Sequence, residues 1–264
     1  TDHGDYASAL ALAQIAARYA FPGTAGVFAS PRLERLLVLL GRQLSTPDRC
    51  NHVSTPGGPK NILHILSYGR PIGGDSRFAW RWIQEDRSNR HFVALTSQED
   101  IRALYDVPDA LRRAAEGSGG WLKSLRAPAS QPVEQVIELR SLCQHMDVAV
   151  LHLFPYDVLP AVALARGCES VKTIFINHSD HTFWLGAGVA HRVAHLRTQN
   201  DQFLAQRRRL RSDRASLLPI PLPHVKNRLS REQAKRELGY DTNSTVLLTI
   251  ASPFKYESRA GLNF

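Results

Sequence analysis

The chain is short of the features that mark several protein classes. Its three cysteines, Cys50, Cys143 and Cys168, include no CxxC pair. An odd, scattered set provides neither a disulfide framework nor a zinc site, and we read them as inert thiols in a reducing compartment. No apolar run comes near the ~20 residues that span a bilayer. No basic segment followed by a greasy one opens the sequence, so nothing points to secretion. The expected location is cytoplasmic, with peripheral contact at the inner face of a membrane as an open option. Because the chain opens on Thr1 rather than Met, we expect a piece of a longer protein, with processing as the alternative. A GxGxxG fingerprint is missing, and Thr96-Ser97-Gln98 stands where an acid would close the second strand of a dinucleotide-binding unit. Both points argue against an ordinary dehydrogenase.

Negative charge is scarce too: 24 Asp and Glu face 33 Lys and Arg, a formal charge of +9. Such a field attracts nucleic acid, acidic head groups or the diphosphate of a nucleotide sugar, and does not choose among them. Nucleic acid is not an expected partner, because no recognition motif is present and the aromatics fall at core positions. The densest basic run, Arg207, Arg208, Arg209, Arg211 and Arg214, reads as a solvated helix face. Bound phosphate or an anionic membrane surface is the functional alternative.

What is present is an ordinary globular composition, 43% hydrophobic and 22% charged over 264 residues. DYASALALAQIAARY and LERLLVLLGRQL have helical apolar spacing, the second opened by Ser30-Pro31 as N-cap and first helical residue. After a polar linker the rhythm changes. NILHILS, HFVALT, DVAVLHLF and VKTIFINH read as buried strands, separated by the helical patterns SRFAWRWIQED, PVEQVIELRSLCQHM and DVLPAVALARG. Residues 109–126 read as helical and polar. Alternation of this kind predicts an α/β fold: a Rossmann-like, mostly parallel sheet flanked by helices. WLGAGVAHRVAHLRTQNDQFLAQRRRL reads as helix, and SLLPIPLP, with three prolines, as a connector. REQAKRELGY is a helix closed by Gly239, and STVLLTIA a further buried strand. The expected organisation is a helical extension and linker over 1–59, a Rossmann-like domain over 60–223, and a linker helix with the first strand of a second domain over 224–264.

Ligands of open parallel sheets bind outside the carboxyl ends of the strands. Behind the first strand, Gly73-Gly74 opens a helix, where bare backbone N–H groups can approach an anion, although a plain tight turn also explains the pair. His152 and Phe154-Pro155-Tyr156-Asp157 follow DVAVLHL. The sharpest cluster, His178-Ser179-Asp180-His181, follows VKTIFIN, with Phe183-Trp184 beyond. Two imidazoles and a carboxylate there can do acid–base work or orient a hydroxyl, and Trp184 can offer a face to a sugar. The same histidines can instead cap the next helix. A metal would need a further ligand that spacing does not supply, so none is expected.

In these segments the chain resembles the N-terminal half of family 4 (group 1) glycosyltransferases of the GT-B fold. The likeness rests on KNILHILSYGRPIGGDSRFAWRWI, MDVAVLHLFPYDVLPAVALARG, VKTIFINHSDHTFWLG, LLPIPLP and STVLLTIASPFKY, in that order. It runs from about Lys60 to Lys255, leaving the N-terminal helices outside. The resemblance implies transfer of a sugar from a nucleotide-sugar donor, with retention at the anomeric carbon, to a glycan or lipid-linked acceptor. No other cofactor is implied. Gly73 and Gly74 would lie near the donor diphosphate and the acceptor, and His178 or His181 near the reacting sugar. Lys255 matches one of two basic residues that hold the donor phosphates. The arginine expected before it is replaced by Ala251-Ser252-Pro253. The remainder of the donor site would lie past Phe264, so the chain by itself is expected to be inactive. The alternative is a non-catalytic binding or scaffold module that keeps the Rossmann layout.

Overall fold

Apolar runs of five or six residues with no polar alternation need cover on both faces, and parallel strands between helices supply it. The computed structural model describes residues 5–21, 26–45, 56–101, 103–197, 201–220, 222, 229–250 and 256. Seven parallel strands form one sheet: β1 Asn61–Leu66, β2 Arg90–Leu95, β3 Leu122–Ser124, β4 Val148–His152, β5 Lys172–Asn177, β6 Arg192–His195 and β7 Ala215–Leu217. Their order is β3-β2-β1-β4-β5-β6-β7, so the chain reverses its direction of travel across the sheet between β1 and β4. In a doubly wound sheet that switch point opens a crevice at the carboxyl ends. The α/β, Rossmann-like class expected from the sequence is the one observed.

The helices are α1 Tyr6–Ala20, α2 Pro31–Gln43, α3 Gly74–Glu85, α4 Asp109–Gly117, α5 Pro132–Cys143, α6 Leu159–Ala163, α7 Asp201–Arg208 and α8 Arg231–Glu237. Ser30 caps α2 by accepting the Leu33 N–H at 3.3 Å, with Pro31 as the first helical residue. Helices α3 and α4 bring Ala79, Ile83, Leu111 and Ala115 to one face of the sheet, against Leu66, Val93 and Leu95. Leu10, Ala13 and Ala17 of α1 and Leu37 and Leu40 of α2 join α5 and α6 in the core on the other face. The N-terminal helices therefore belong to the same compact unit as the sheet, which runs from Thr1 to Pro221.

Two buried charges tie these helices down. Glu34 of α2 accepts the N–H groups of Gly186, Ala187 and Gly188 at 2.8, 3.1 and 2.9 Å. Arg140 of α5, fully buried, donates to the carbonyls of Gly41, Leu44, Val162 and Ala163. Those carbonyls end α2 and α6, so the guanidinium meets the negative ends of two helices at once.

Three local expectations need correction. Residues 109–126 are not one helical stretch: α4 stops at Gly117 and Leu122–Ser124 pairs with β2. RVAH, expected as helix, is β6, because Val193 and Ala194 pair with Phe175 and Ile176 and bury both faces of the sheet. STVLLTIA forms no strand among its described residues, and Leu247, Leu248 and Ile250 are exposed, since no neighbouring strand pairs with them. Leu222–Phe264 forms a second, smaller unit, whose helix α8 is opened by a Ser230–Gln233 capping box.

Candidate functional site

The carboxyl ends of β1, β4, β5 and β6 surround a cavity of 340 Å³. Arg70 comes from the turn after β1, Gly74 and Asp75 from the start of α3, and Arg77, Phe78 and Arg81 from its face. Phe154 follows β4, Asn177, His178 and Asp180 lie at the end of β5, and Arg197 follows β6. Four arginines against two aspartates make the wall electropositive, in a cavity of the size small-molecule sites have. The first turn of α3 adds the positive end of a helix. A Cβ on Gly74 would meet nothing within 4 Å, so the backbone there is open to a ligand rather than packed.

A polar frame under the cavity fixes its loops. The buried Asp157 carboxylate accepts the Ser67 hydroxyl at 2.7 Å and the Thr96 hydroxyl at 2.5 Å, and Ser67 Oγ accepts the Phe154 N–H at 2.8 Å. One carboxylate thus ties together the ends of β1, β2 and β4. Burial pushes its pKa up while the two hydroxyls pull it down. Gln98 holds the Gly69 N–H at 2.7 Å. Arg70 turns back to Asp75 at 3.4 Å and lies over Phe154, yet its Nε and Asp75 Oδ1 are buried without a hydrogen-bond partner. Polar atoms left this way are costly unless something fills the space beside them.

The residues singled out in the sequence separate here. His178 lines the cavity, packed edge-on against Phe78 at 5.6 Å between ring centres. Burial lowers its pKa, which Asp75 partly offsets. Asp180 also lines the cavity and accepts the Asn177 amide at 2.5 Å. His181 is exposed and is not part of the lining. Gly73 caps α3 and Gly74 begins it, as expected of a pair opening a helix. Trp184 is a correction: it is 3% exposed, stacked on Phe175 at 4.1 Å, and offers no free face to a sugar. Lys255 lies outside the described residues. Neither reading of the basic run survives for two of its members. Arg208 is buried over Trp184, and donates to the carbonyls of Phe28, Ser179, Asp180 and Thr182. Arg214 donates to Ala187 and Ala190. Both clamp the loop that follows β5.

Sequence reasoning missed all four arginines of the wall, Arg70, Arg77, Arg81 and Arg197. For the first three, their spacing across the turn and α3 was the available signal: Arg77 and Arg81 are four apart and share a helix face. It also passed over His64 and His91, which looked like ordinary strand residues. Among the described residues no cluster of three or more His, Cys, Asp or Glu has metal-binding geometry, and no helix is long and apolar enough to cross a membrane.

The molecule is thus a Rossmann-like α/β protein with a basic cavity at its switch point. No family model matches the chain, and no curated protein matches it either. Among solved structures it is similar to Anabaena Alr3699/HepE in complex with UDP and glucose, with 12% sequence identity and a TM-score of 0.43. The likeness covers 68% of this chain and 50% of that one, so the chain spans about half the length of that structure.

Proposed function

We propose that the chain is the acceptor-side half of a retaining glycosyltransferase, which takes a sugar from a nucleotide-sugar donor to a glycan or lipid-linked acceptor. The observation that carries this reading is the cavity itself: arginines, a bare helix start and one histidine converge at the carboxyl ends of four parallel strands. A departing nucleoside diphosphate gains negative charge as the glycosidic bond breaks. Guanidinium groups and a helix N-terminus fixed beforehand around that charge are the main means of stabilising it. In this reading Arg70, Arg81 and the backbone at Gly73 and Gly74 face the diphosphate. His178, rather than His181, stands beside the reacting sugar, and Asp180 orients hydroxyls. We assign the unit beginning at Leu222 to a donor-binding half; water must be kept from the donor, because it is the competing acceptor. Lys255 would contribute to that half, and any membrane contact would be peripheral.

The test is a thermal-shift screen against UDP-, GDP- and ADP-sugars and inorganic pyrophosphate, on the chain and on its Arg70→Ala and Arg81→Ala variants. A rise in Tm with diphosphate-bearing ligands, lost in either variant, is the expected result. Absence of any rise, or a rise that both variants keep, overturns the placement of the diphosphate. In the whole natural protein, His178→Ala should abolish sugar transfer and His181→Ala should not; the reverse pattern, or unchanged transfer in both, would favour the scaffold alternative.

A further inference from the structure

Under α3, four imidazoles stand on four adjacent strands. His64 pairs with Val93 of β2 and Val150 of β4; His91 lies two residues before Val93, and His152 two after Val150. His178 lies three past Phe175, which pairs with Leu151, and so is again displaced by two. A displacement of two keeps every side chain on one face and advances about 6–7 Å along the strands at each step. The rings therefore form a diagonal line from the amino end of β2 to the cavity. His91 Nδ1 is 3.0 Å from His64 Nε2, His64 Nδ1 is 3.1 Å from His152 Nε2, and His152 Nδ1 is 3.4 Å from His178 Nε2. His64, His91 and His152 are buried, with Trp82 against His64 and Phe78 against His152.

The far end of the line determines its polarity. Asp86 Oδ2 is 3.4 Å from His91 Nε2, a charge contact rather than a formed hydrogen bond, and both Asp86 oxygens accept the Asn89 amide. A carboxylate only accepts, so its charge favours the proton of His91 on the facing Nε2 and leaves Nδ1 as the acceptor. His64 must then donate from Nε2 and accept at Nδ1, and His152 must do the same. Each neutral ring carries one proton, so the choice at Asp86 passes down the whole line. Burial keeps these rings neutral, with His64 pushed down to about 3. At the cavity, His178 donates its Nε2 proton to His152, and Nδ1 is left as the accepting nitrogen.

We propose that Asp86, His91, His64 and His152 are positioning residues that hold His178 in a single tautomer, Nε2 protonated and Nδ1 a base for a hydroxyl in the cavity. The tautomer order stands on the geometry alone; only its use in sugar transfer rests on the function proposed above. Long-range ¹H–¹⁵N NMR of the histidine-labelled chain, with no ligand, reads the protonated nitrogen of each ring. The expected spectrum has His91, His64, His152 and His178 all protonated at Nε2. Asp86→Asn removes the acceptor-only end and should turn His178 into a mixture of tautomers, and Asp86→Glu should restore the single form. His64→Leu, which cuts the line, should free His178 and leave His91 unchanged. Should that core variant fail to fold, the two substitutions at the half-buried Asp86 decide. Rings protonated at Nδ1 in the parent chain, or a His178 signal indifferent to Asp86→Asn, would overturn the proposal. Failure of the nucleotide-sugar screen would leave this spectrum unaffected, so the two readings fail separately.

Discussion

His64 shows what a single buried titratable residue does to this protein. Its ring has no contact with water, and desolvation with the neighbouring His91 drives its pKa to about 3. In the unfolded chain the same ring titrates near 6.5. The native state therefore resists a proton that the unfolded state accepts, and the sign follows. Stability from this group is complete above about pH 6.5 and declines as pH falls toward 3, costing about 2 kcal/mol by pH 5. The buried carboxyls of Asp157 and Glu34, both pushed up, work in the opposite sense. The informative measurement is consequently a difference: urea unfolding at pH 7.5 and pH 5 for the parent chain and for His64→Gln. The parent should lose about 2 kcal/mol more than the variant on acidification; equal losses would place the proton elsewhere.

At the scale of elements, the helices are held by their ends as much as by their faces. Arg140 reaches the last carbonyls of α2 and α6 from the last turn of α5. Met in its place would fill much of the volume while stranding those carbonyls in the core. Arg140→Met should cost about 3 kcal/mol or more, read as a lower urea midpoint with an unchanged m-value. Arg140→Lys, which keeps the charge but not the fork, should fall between. The same close fit appears where a Cβ on Gly41 would come 2.2 Å from the Val162 carbonyl, so α2 and α6 meet at a backbone contact. None of this was visible in the sequence, where Arg140 sits in an amphipathic pattern as any surface arginine would. Helix starts were legible because a cap is local: Ser30 and Pro31 act on the N–H groups beside them. Strand β3 and strand β6 were not, since three or four residues carry no period and become strand only through their neighbours.

For the whole molecule, the consequence is that the first two helices are not detachable. Leu10, Ala13, Ala17, Leu37, Leu40 and Leu44 are buried in the core that also contains β4 and β5. Each fully buried leucine is worth about 1.5–3 kcal/mol. Removing residues 1–45 would also leave Arg140 without two of its acceptors and the loop at 186–188 without Glu34. A chain starting near residue 56 should thus be insoluble or bind a dye for exposed apolar surface, with no cooperative melting transition. A sharp transition for that truncated chain would show the helices to be an accessory layer after all.

Composition and periodicity by themselves determined the α/β class and the parallel sheet, and marked three strand ends, after β1, β4 and β5, as candidate places for a ligand. Those properties depend on short-range repeats and on the rule that parallel sheets bind at their carboxyl ends. Tertiary structure alone decided which side chains share the site. His178 and His181 are three residues apart and equivalent on paper, yet one lines the cavity and the other is exposed. Trp184 went to the core and Arg208 to four backbone carbonyls, because burial and unpaired carbonyls are settled by contacts between distant segments. The line of histidines has the same origin. Hydrogen-bonded neighbours in it lie as many as 88 residues apart, and only the strand register brings their nitrogens to within hydrogen-bonding distance.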